Sequence, residues 1–245
     1  MGQIAWLGPH DPFPNPLTDA DPDPSVPGLI AVSENIYPGQ LARAYQQGIF
    51  PWYSDNQPIL WWSPDPRMVL KPSNFKCSDS LRKIIRSFCQ NSQSQITVDD
   101  DFGAVIRSCA TSSRKNQDGT WITHEIIDAY TALHEQGNAH CIAVIEDGQL
   151  TGGLYCVSFG KMVFGESMFS RKTNASKIAL AALSAWCLSN DIPMIDCQQE
   201  TAHLLSLGAA PMPRRHFLEQ LQISVNQTKI KHSWTFDKTI LHHWL

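Results

Sequence analysis

Two short stretches hold side chains whose types and spacing could do chemistry. The first is "IDCQ", Ile195 to Gln198. Side chains alternate along a strand, so Asp196 and Gln198 share one face while Ile195 and Cys197 share the other. A carboxylate two residues from an amide suits positioning an amine or accepting its proton. The same pair also fits a strand-end acid beside a surface glutamine. The second stretch is "GESMFSRKTNASKIAL", Gly165 to Leu180. Glu166 follows a glycine inside a strand pattern, and such a glycine marks a bulge or a close backbone approach. A bulge would re-aim the neighbouring acid; otherwise Glu166 faces solvent on the polar side of its strand. Arg171 and Lys172 then precede a helix whose entrance is lined by Ala175, Ser176 and Ala179. Helix N–H groups at such an entrance attract negative charge.

A third set is aromatic. Phe50, Trp52, Tyr53, Trp61 and Trp62, joined by Trp121, could stack on bases or on a terminal adenosine. They could equally pack a junction between two parts of the chain. Other chemistries lack their patterns. The histidines are scattered without HExxH spacing, no GxxxxGK[ST] phosphate loop occurs, and no GxSxG nucleophile elbow occurs. "DDD" at 99–101 reads as a turn or helix cap. The seven cysteines form no CxxC pair, which fits reduced, mostly buried thiols rather than a zinc site. No metal is expected.

The elements that must hold these residues can be read from periodicity. A proline- and aspartate-rich segment at 9–27 reads as irregular. "PGQLARAYQQGIFPWY" carries a short helix with Gly48 as its stop. Residues 78–90 read as a helix with apolar Leu81, Ile84, Ile85 and Phe88, capped by Ser78 or Asp79, with Arg82, Lys83 and Arg86 as a basic strip. A third helix runs from Thr123 to Gly137. "HCIAVIE", "QLTGGLYCVSF" and "KMVFGESMFS" read as three strands joined by tight turns at Asp147-Gly148 and Gly160-Lys161. A helix at 174–189, the "MIDCQ" strand, a helix near 200–207 and one starting "PRRHFLEQL" follow. Meander, helix and further strand make an α+β core with a helix-covered sheet.

The chain has 245 residues, 42% hydrophobic, which supports a sizeable core. Its net charge of −4 does not advertise nucleic-acid binding, so any such site must be local. No basic n-region precedes an apolar core, and no apolar run approaches the ~20 residues of a membrane span. The expectation is a cytoplasmic protein without membrane contact.

Read together, "GIFPWY", "WWSPDPRMVL", "TWIT", "GESMFSRKTNASKIAL", "IDCQ" and "SLGAAPMPRRHFL" resemble the leucyl/phenylalanyl-tRNA–protein transferases in order and spacing, over roughly residues 28–222. The resemblance implies a small N-terminal α+β domain at 1–66 and, at 67–245, a larger domain like the acetyltransferase fold called GNAT. It implies transfer of leucine, phenylalanine and less often methionine from aminoacyl-tRNA to proteins whose N-terminus is Arg or Lys. Such products enter N-degron proteolysis, and no cofactor or metal is needed. By the same resemblance Asp196 and Gln198 act at the reacting amine and Glu166 lies near the substrates. Tyr45, Trp52 and Trp121 lie around the entrance and the 3′ adenosine. Leu154, Val163, Leu180, Leu183 and Ile195 line an apolar pocket, and Leu183 is smaller than the aromatics of some members. The local basic sets Arg82–Lys83–Arg86, Arg171–Lys172 and Arg214–Arg215 are the candidates for tRNA phosphates. Two competing readings are a GNAT-like acyl-CoA N-acyltransferase, which the glycine-free "SRKTNASK" loop disfavours, and a non-catalytic tRNA- or peptide-binding module.

Overall fold

The computed structural model describes residues 4–19, 23, 25–54, 57–112, 121–227 and 233–245. Residues 20–22 and 24 of the expected irregular segment, and Thr120 of "TWIT", lie outside the described residues.

Two sheets organise the described chain. The smaller has four strands, β1 (Ala5–Leu7), β2 (Leu29–Ser33), β3 (Phe50–Pro51) and β4 (Ile59–Trp62), in the order β1-β2-β4-β3. Helix α1 (Pro38–Gln46) joins β2 to β3 and ends at Gly48, whose φ of 75° a side chain would disfavour. The larger sheet has seven strands. They are β5 (Arg67–Leu70), β6 (Ser94–Val98), β7 (Ala139–Glu146), β8 (Gln149–Phe159), β9 (Met162–Ser170), β10 (Ile195–Gln198) and β11 (Ala210–Met212). Their order is β11-β5-β10-β9-β8-β7-β6. All neighbours are antiparallel except β9 and β10, which run parallel. This is a mixed α+β fold, as the sequence pattern predicts.

Helices α2 (Asp79–Gln90), α3 (Phe102–Thr111), α4 (His124–Glu135), α5 (Ala175–Ser189), α6 (Ala202–Ser206) and α7 (Arg214–Val225) cover the sheet. Ser78 caps α2 by accepting from the Leu81 N–H, and Thr123 caps α4 by accepting from Ile126. Asp101, the last of the three consecutive aspartates, caps α3 at 2.7 Å from the Ala104 N–H. Of the acid run, Asp101 is therefore the cap, while Asp99 pairs with His140 and accepts from the Cys141 N–H; the helix behind them was not anticipated. Two cores result. One, around Trp61, Tyr45, Phe164 and Phe217, joins the small sheet, α1, α4 and α7 to one face of the large sheet. The other packs α2 and α5 on the opposite face. Helix α5 is apolar almost all round, as a helix enclosed between a sheet and a C-terminal segment must be.

Candidate active site

The site forms where the two parallel strands part. Their ladder runs only through Ile195↔Val163 and Asp196↔Phe164. Beyond that point each strand carries a bulge. On β9 the register against β8 passes from Cys156↔Gly165 to Tyr155↔Ser167, so Glu166 is the extra residue. On β10 the register against β5 passes from Asp196↔Val69 to Gln198↔Met68, leaving Cys197 extra. Gln198 itself adopts a φ of 63°. Bulges re-aim side chains, and here they do so twice at one place. The strict alternation expected of "IDCQ" is corrected by this geometry. The Gln198 side chain turns to Glu166, donating from Nε2 to Oε1 at 2.9 Å, while Asp196 turns into the core.

Asp196 has no exposed surface. Arg67 clamps it with two parallel bonds, Nε to Oδ1 at 2.8 Å and Nη2 to Oδ2 at 2.6 Å. The Gln198 backbone N–H also donates to Oδ1, at 2.9 Å. The guanidinium lies between the Phe50 and Phe217 rings, 4.6 Å from each centroid, and donates to the Gly48 carbonyl at 3.1 Å. Such a bidentate, stacked geometry is particular to arginine. Sequence reading missed Arg67; a lone arginine in the apolar stretch "RMVL" was the available signal.

Glu166 lies in a different setting. Its Oε2 accepts from the Tyr130 hydroxyl at 3.0 Å, and the Tyr45 and Tyr130 hydroxyls are bonded to each other beneath it. The residue is partly open to the cleft, but the carboxyl group is enclosed by these side chains and Gln198. Burial pushes its pKa up to about 7, against the lowering effect of the hydrogen bonds. Burial likewise raises Tyr45 and Tyr130 well above the usual phenol value. Tyr130 was also missed, although it lies on the apolar face of α4 with Ile126, Ala129 and Leu133.

Two spaces meet at Glu166. An apolar cavity of about 90 Å³ is lined by Leu154, Leu180, Leu183, Ile195, Met168 and Leu204, with Cys197 and Glu166 at its mouth. A cleft of about 640 Å³ opens beside it between Trp52 and Trp121 on one wall and His203 and Leu204 of α6 on the other, with Glu166 and Gln198 on its floor. His203 stays largely neutral near pH 7, because burial and then Lys177 lower its pKa.

The structure thus brings Glu166, Gln198, Trp52, Trp121, Leu154, Leu180, Leu183 and Ile195 to one place. It separates others. Val163 is fully buried behind Ile195 and does not line the cavity. Tyr45 has no exposed surface, so it supports Glu166 from below rather than lining the entrance. Arg214 is buried, donating to the Ser63 carbonyl at 2.6 Å while its N–H meets Asp65, which takes it off any phosphate-facing surface. Arg82 is held by Asp79 and the Trp244 carbonyl, Arg171 by Ser108 and the Leu150 carbonyl, and Lys172 by Glu146. Lys83, Arg86 and Arg215 are exposed. At the entrance of α5, the Ser176 N–H is already taken by Ser170 Oγ at 2.9 Å and the Ala175 N–H by the Lys172 carbonyl at 3.0 Å. Few donors remain there for a pyrophosphate, which disfavours the acyl-CoA reading. Among the described residues, no group of three His, Cys, Asp or Glu side chains could hold a metal, and no helix is long and apolar enough to cross a membrane.

Comparison with known proteins shows the family. The family described as leucyl/phenylalanyl-tRNA protein transferase matches residues 69–222, and its N-terminal domain matches 35–65. The chain is 53% identical over 241 residues to the leucyl/phenylalanyl-tRNA–protein transferase of Cupriavidus pinatubonensis, covering 98% of this chain and 96% of that protein. It is 51% identical over 238 residues to that of Paraburkholderia xenovorans, covering 97% and 96%. Among solved structures it is similar to L-PGS from Bacillus licheniformis (TM-score 0.40, 13% identity, 78% of this chain) and to a GCN5-related N-acetyltransferase from Kribbella flavida (TM-score 0.35, 9% identity, 75% of this chain). The chain spans 64% of each of those solved chains. The family match and the relatives define a transferase that uses aminoacyl-tRNA. The chain belongs to the leucyl/phenylalanyl-tRNA–protein transferase family.

Proposed function

We propose that this enzyme moves leucine or phenylalanine, and less readily methionine, from aminoacyl-tRNA to the N-terminal amine of proteins that begin with Arg or Lys. Products of that kind are marked for N-degron proteolysis, and both substrates belong to the cytoplasm. The observation that carries this reading is the junction of an apolar cavity with an aromatic cleft at Glu166 and Gln198. The cavity receives the donor side chain. Its volume of about 90 Å³ is smaller than the roughly 150 Å³ hole that admits benzene. A leucyl group therefore enters with little adjustment, and a phenyl ring needs Met168 or Leu204 to swing aside. Trp52 and Trp121 offer faces on which the terminal adenine can stack. Glu166 is the acidic side chain on the cleft lining, so a cationic first residue of the acceptor is drawn to it.

The ester bond of the donor is already activated, so catalysis rests on holding amine and carbonyl together. Gln198 is placed to orient the reacting groups, and Asp196 with Arg67 fixes the bulge that aims it. The exposed Lys83, Arg86 and Arg215, and Arg171 and Lys172 after exchanging partners, are candidates for phosphate contacts. The test uses labelled Leu-tRNA or Phe-tRNA with a peptide that starts with Arg, beside the same peptide N-acetylated. Label should enter only the free-amine peptide. Incorporation into both, or into neither, would overturn the reading.

A further inference from the structure

We infer that Glu166 is the group that exchanges the proton with the acceptor amine, and that Asp196 is a positioning residue acting through Arg67 and Gln198. This deepens the function proposed above and rests on it. The sequence alone leaves Asp196 open between positioning the amine and accepting its proton, and the family resemblance puts Glu166 only near the substrates.

Reach decides between the two acids. Asp196 lines neither the cavity nor the cleft, and both of its oxygens are held by Arg67. To take a proton it would have to break a bidentate pair in the core. Glu166 lines both spaces, at the point where they join. An aminoacyl ester with its side chain in the cavity and its ribose in the cleft passes this carboxyl. The acceptor amine must approach the ester carbonyl from the same cleft.

Chemistry agrees with reach. The Glu166 carboxyl accepts from neutral donors, the Tyr130 hydroxyl and the Gln198 amide. Among the described residues, no lysine, arginine or histidine forms an ion pair with it. A carboxylate held only by neutral donors can accept a proton without losing an ionic partner. The ionisable groups packed around it are Tyr45 from α1, Tyr130 from α4, Tyr155 from β8, Asp196 and Cys197 from β10, Arg67 from β5 and His203 from α6. Burial keeps both Tyr45 and Tyr130 protonated and pushes Cys197 up to about 12. Burial also places Glu166 at about 7, where a group can both accept and return a proton near neutrality.

The step balances without any further reactant. The amine nitrogen forms a bond to the ester carbonyl carbon and gives a proton to the Glu166 carboxylate. The carbon–oxygen bond to the terminal ribose breaks, and the carboxylic acid returns that proton to the ribose oxygen. A cationic acceptor side chain beside Glu166 favours the ionised form. The acceptor thus promotes the protonation state that its own reaction needs.

The experiment measures transfer from Phe-tRNA to an Arg peptide between pH 5.5 and 9, for wild type, Glu166→Gln and Tyr130→Phe. For wild type, log kcat/KM should rise below pH 7 with a slope near two, one proton from the amine and one from Glu166. In Glu166→Gln the slope should fall to one and kcat should drop by about 10²–10⁴-fold, with Phe-tRNA affinity unchanged. In Tyr130→Phe, loss of a hydrogen bond that favours the carboxylate should move the Glu166 limb to higher pH. Should either variant fold poorly, the other still reports the limb. An unchanged slope in Glu166→Gln, or a higher peptide KM with kcat intact, overturns the inference while leaving the proposed function standing. Absence of transfer by wild type defeats the function itself.

Discussion

Asp196 and Glu166 lie on neighbouring strands, yet the protein treats their charges in opposite ways. Asp196 is cancelled by a guanidinium at 2.6 and 2.8 Å and has no access to solvent. Glu166 is enclosed too, but by hydroxyls and an amide, and one side opens on the cleft. A buried charge with a strong counter-charge is a fastening. A buried charge with only dipoles around it changes protonation easily. Burial alone therefore does not decide whether an acid can change protonation; the nature of its partners does.

The largest effect is expected at the fastening. Arg67→Met leaves Asp196 buried without its counter-charge, and a loss of about 3–5 kcal/mol is expected, with transfer abolished. Urea denaturation measures the first effect and peptide labelling the second. Replacing both partners, Arg67→Met with Asp196→Leu, should restore much of the stability and none of the activity. A fully active double variant would show that the pair does not aim Gln198.

At Glu166 the expected effect has the other sign. The folded protein holds this proton more tightly than the unfolded chain does, since its pKa rises from 4.5 to about 7. The associated stability is fully present below about pH 4.5 and is lost as pH rises to about 7. Ionised, the group costs the fold on the order of 3 kcal/mol. Glu166→Gln should therefore stabilise the protein at pH 8 by up to that order and change little at pH 4.5. Thermal melts at the two pH values test this, and an equal shift at both would contradict it.

The cavity offers a milder probe. Leu183→Ala enlarges it, so the use of Phe-tRNA relative to Leu-tRNA should rise by ~1–3 kcal/mol, or about 10–200-fold. The same change should cost roughly 2–5 kcal/mol of stability. Competition between the two donors in one tube gives the ratio directly. The smallest effect is expected on α2. Changing Lys83 and Arg86 to Ala should flatten the dependence of log affinity for tRNA on log salt by about two or less. Arg82, already held by Asp79 and the Trp244 carbonyl, should add little. An unchanged slope removes α2 from the tRNA surface.

Much of the frame was legible because its signals are local. Ser78 and Thr123 announce their helices, and Asp147 and Gly148 close their hairpin with φ of 52° and 72°. Gly165 marked the β9 bulge for the same reason. What escaped depends on distant partners. The short strand β5 hides in "WWSPDPRMVL", where prolines read as turns, because nothing nearby pairs with it. The orientation of Asp196 depended on an arginine far away in the chain, and no alternation rule foresees a bulge at Cys197. The Tyr130 hydroxyl looked like core because its role appears only when α4 lies beneath Glu166.

The position of β5 also sets a timetable. It lies between β10 and β11, and Arg67 meets Asp196 across 129 residues of chain. At roughly 5–20 residues per second of synthesis, Arg67 leaves the ribosome some 6–25 s before its counter-charge exists. Throughout that interval the nascent chain carries an apolar strand without neighbours and a cation destined for the interior. The floor of the cleft is consequently among the last parts of the large sheet to be completed. The charge of an early segment is thus matched only when a late one arrives.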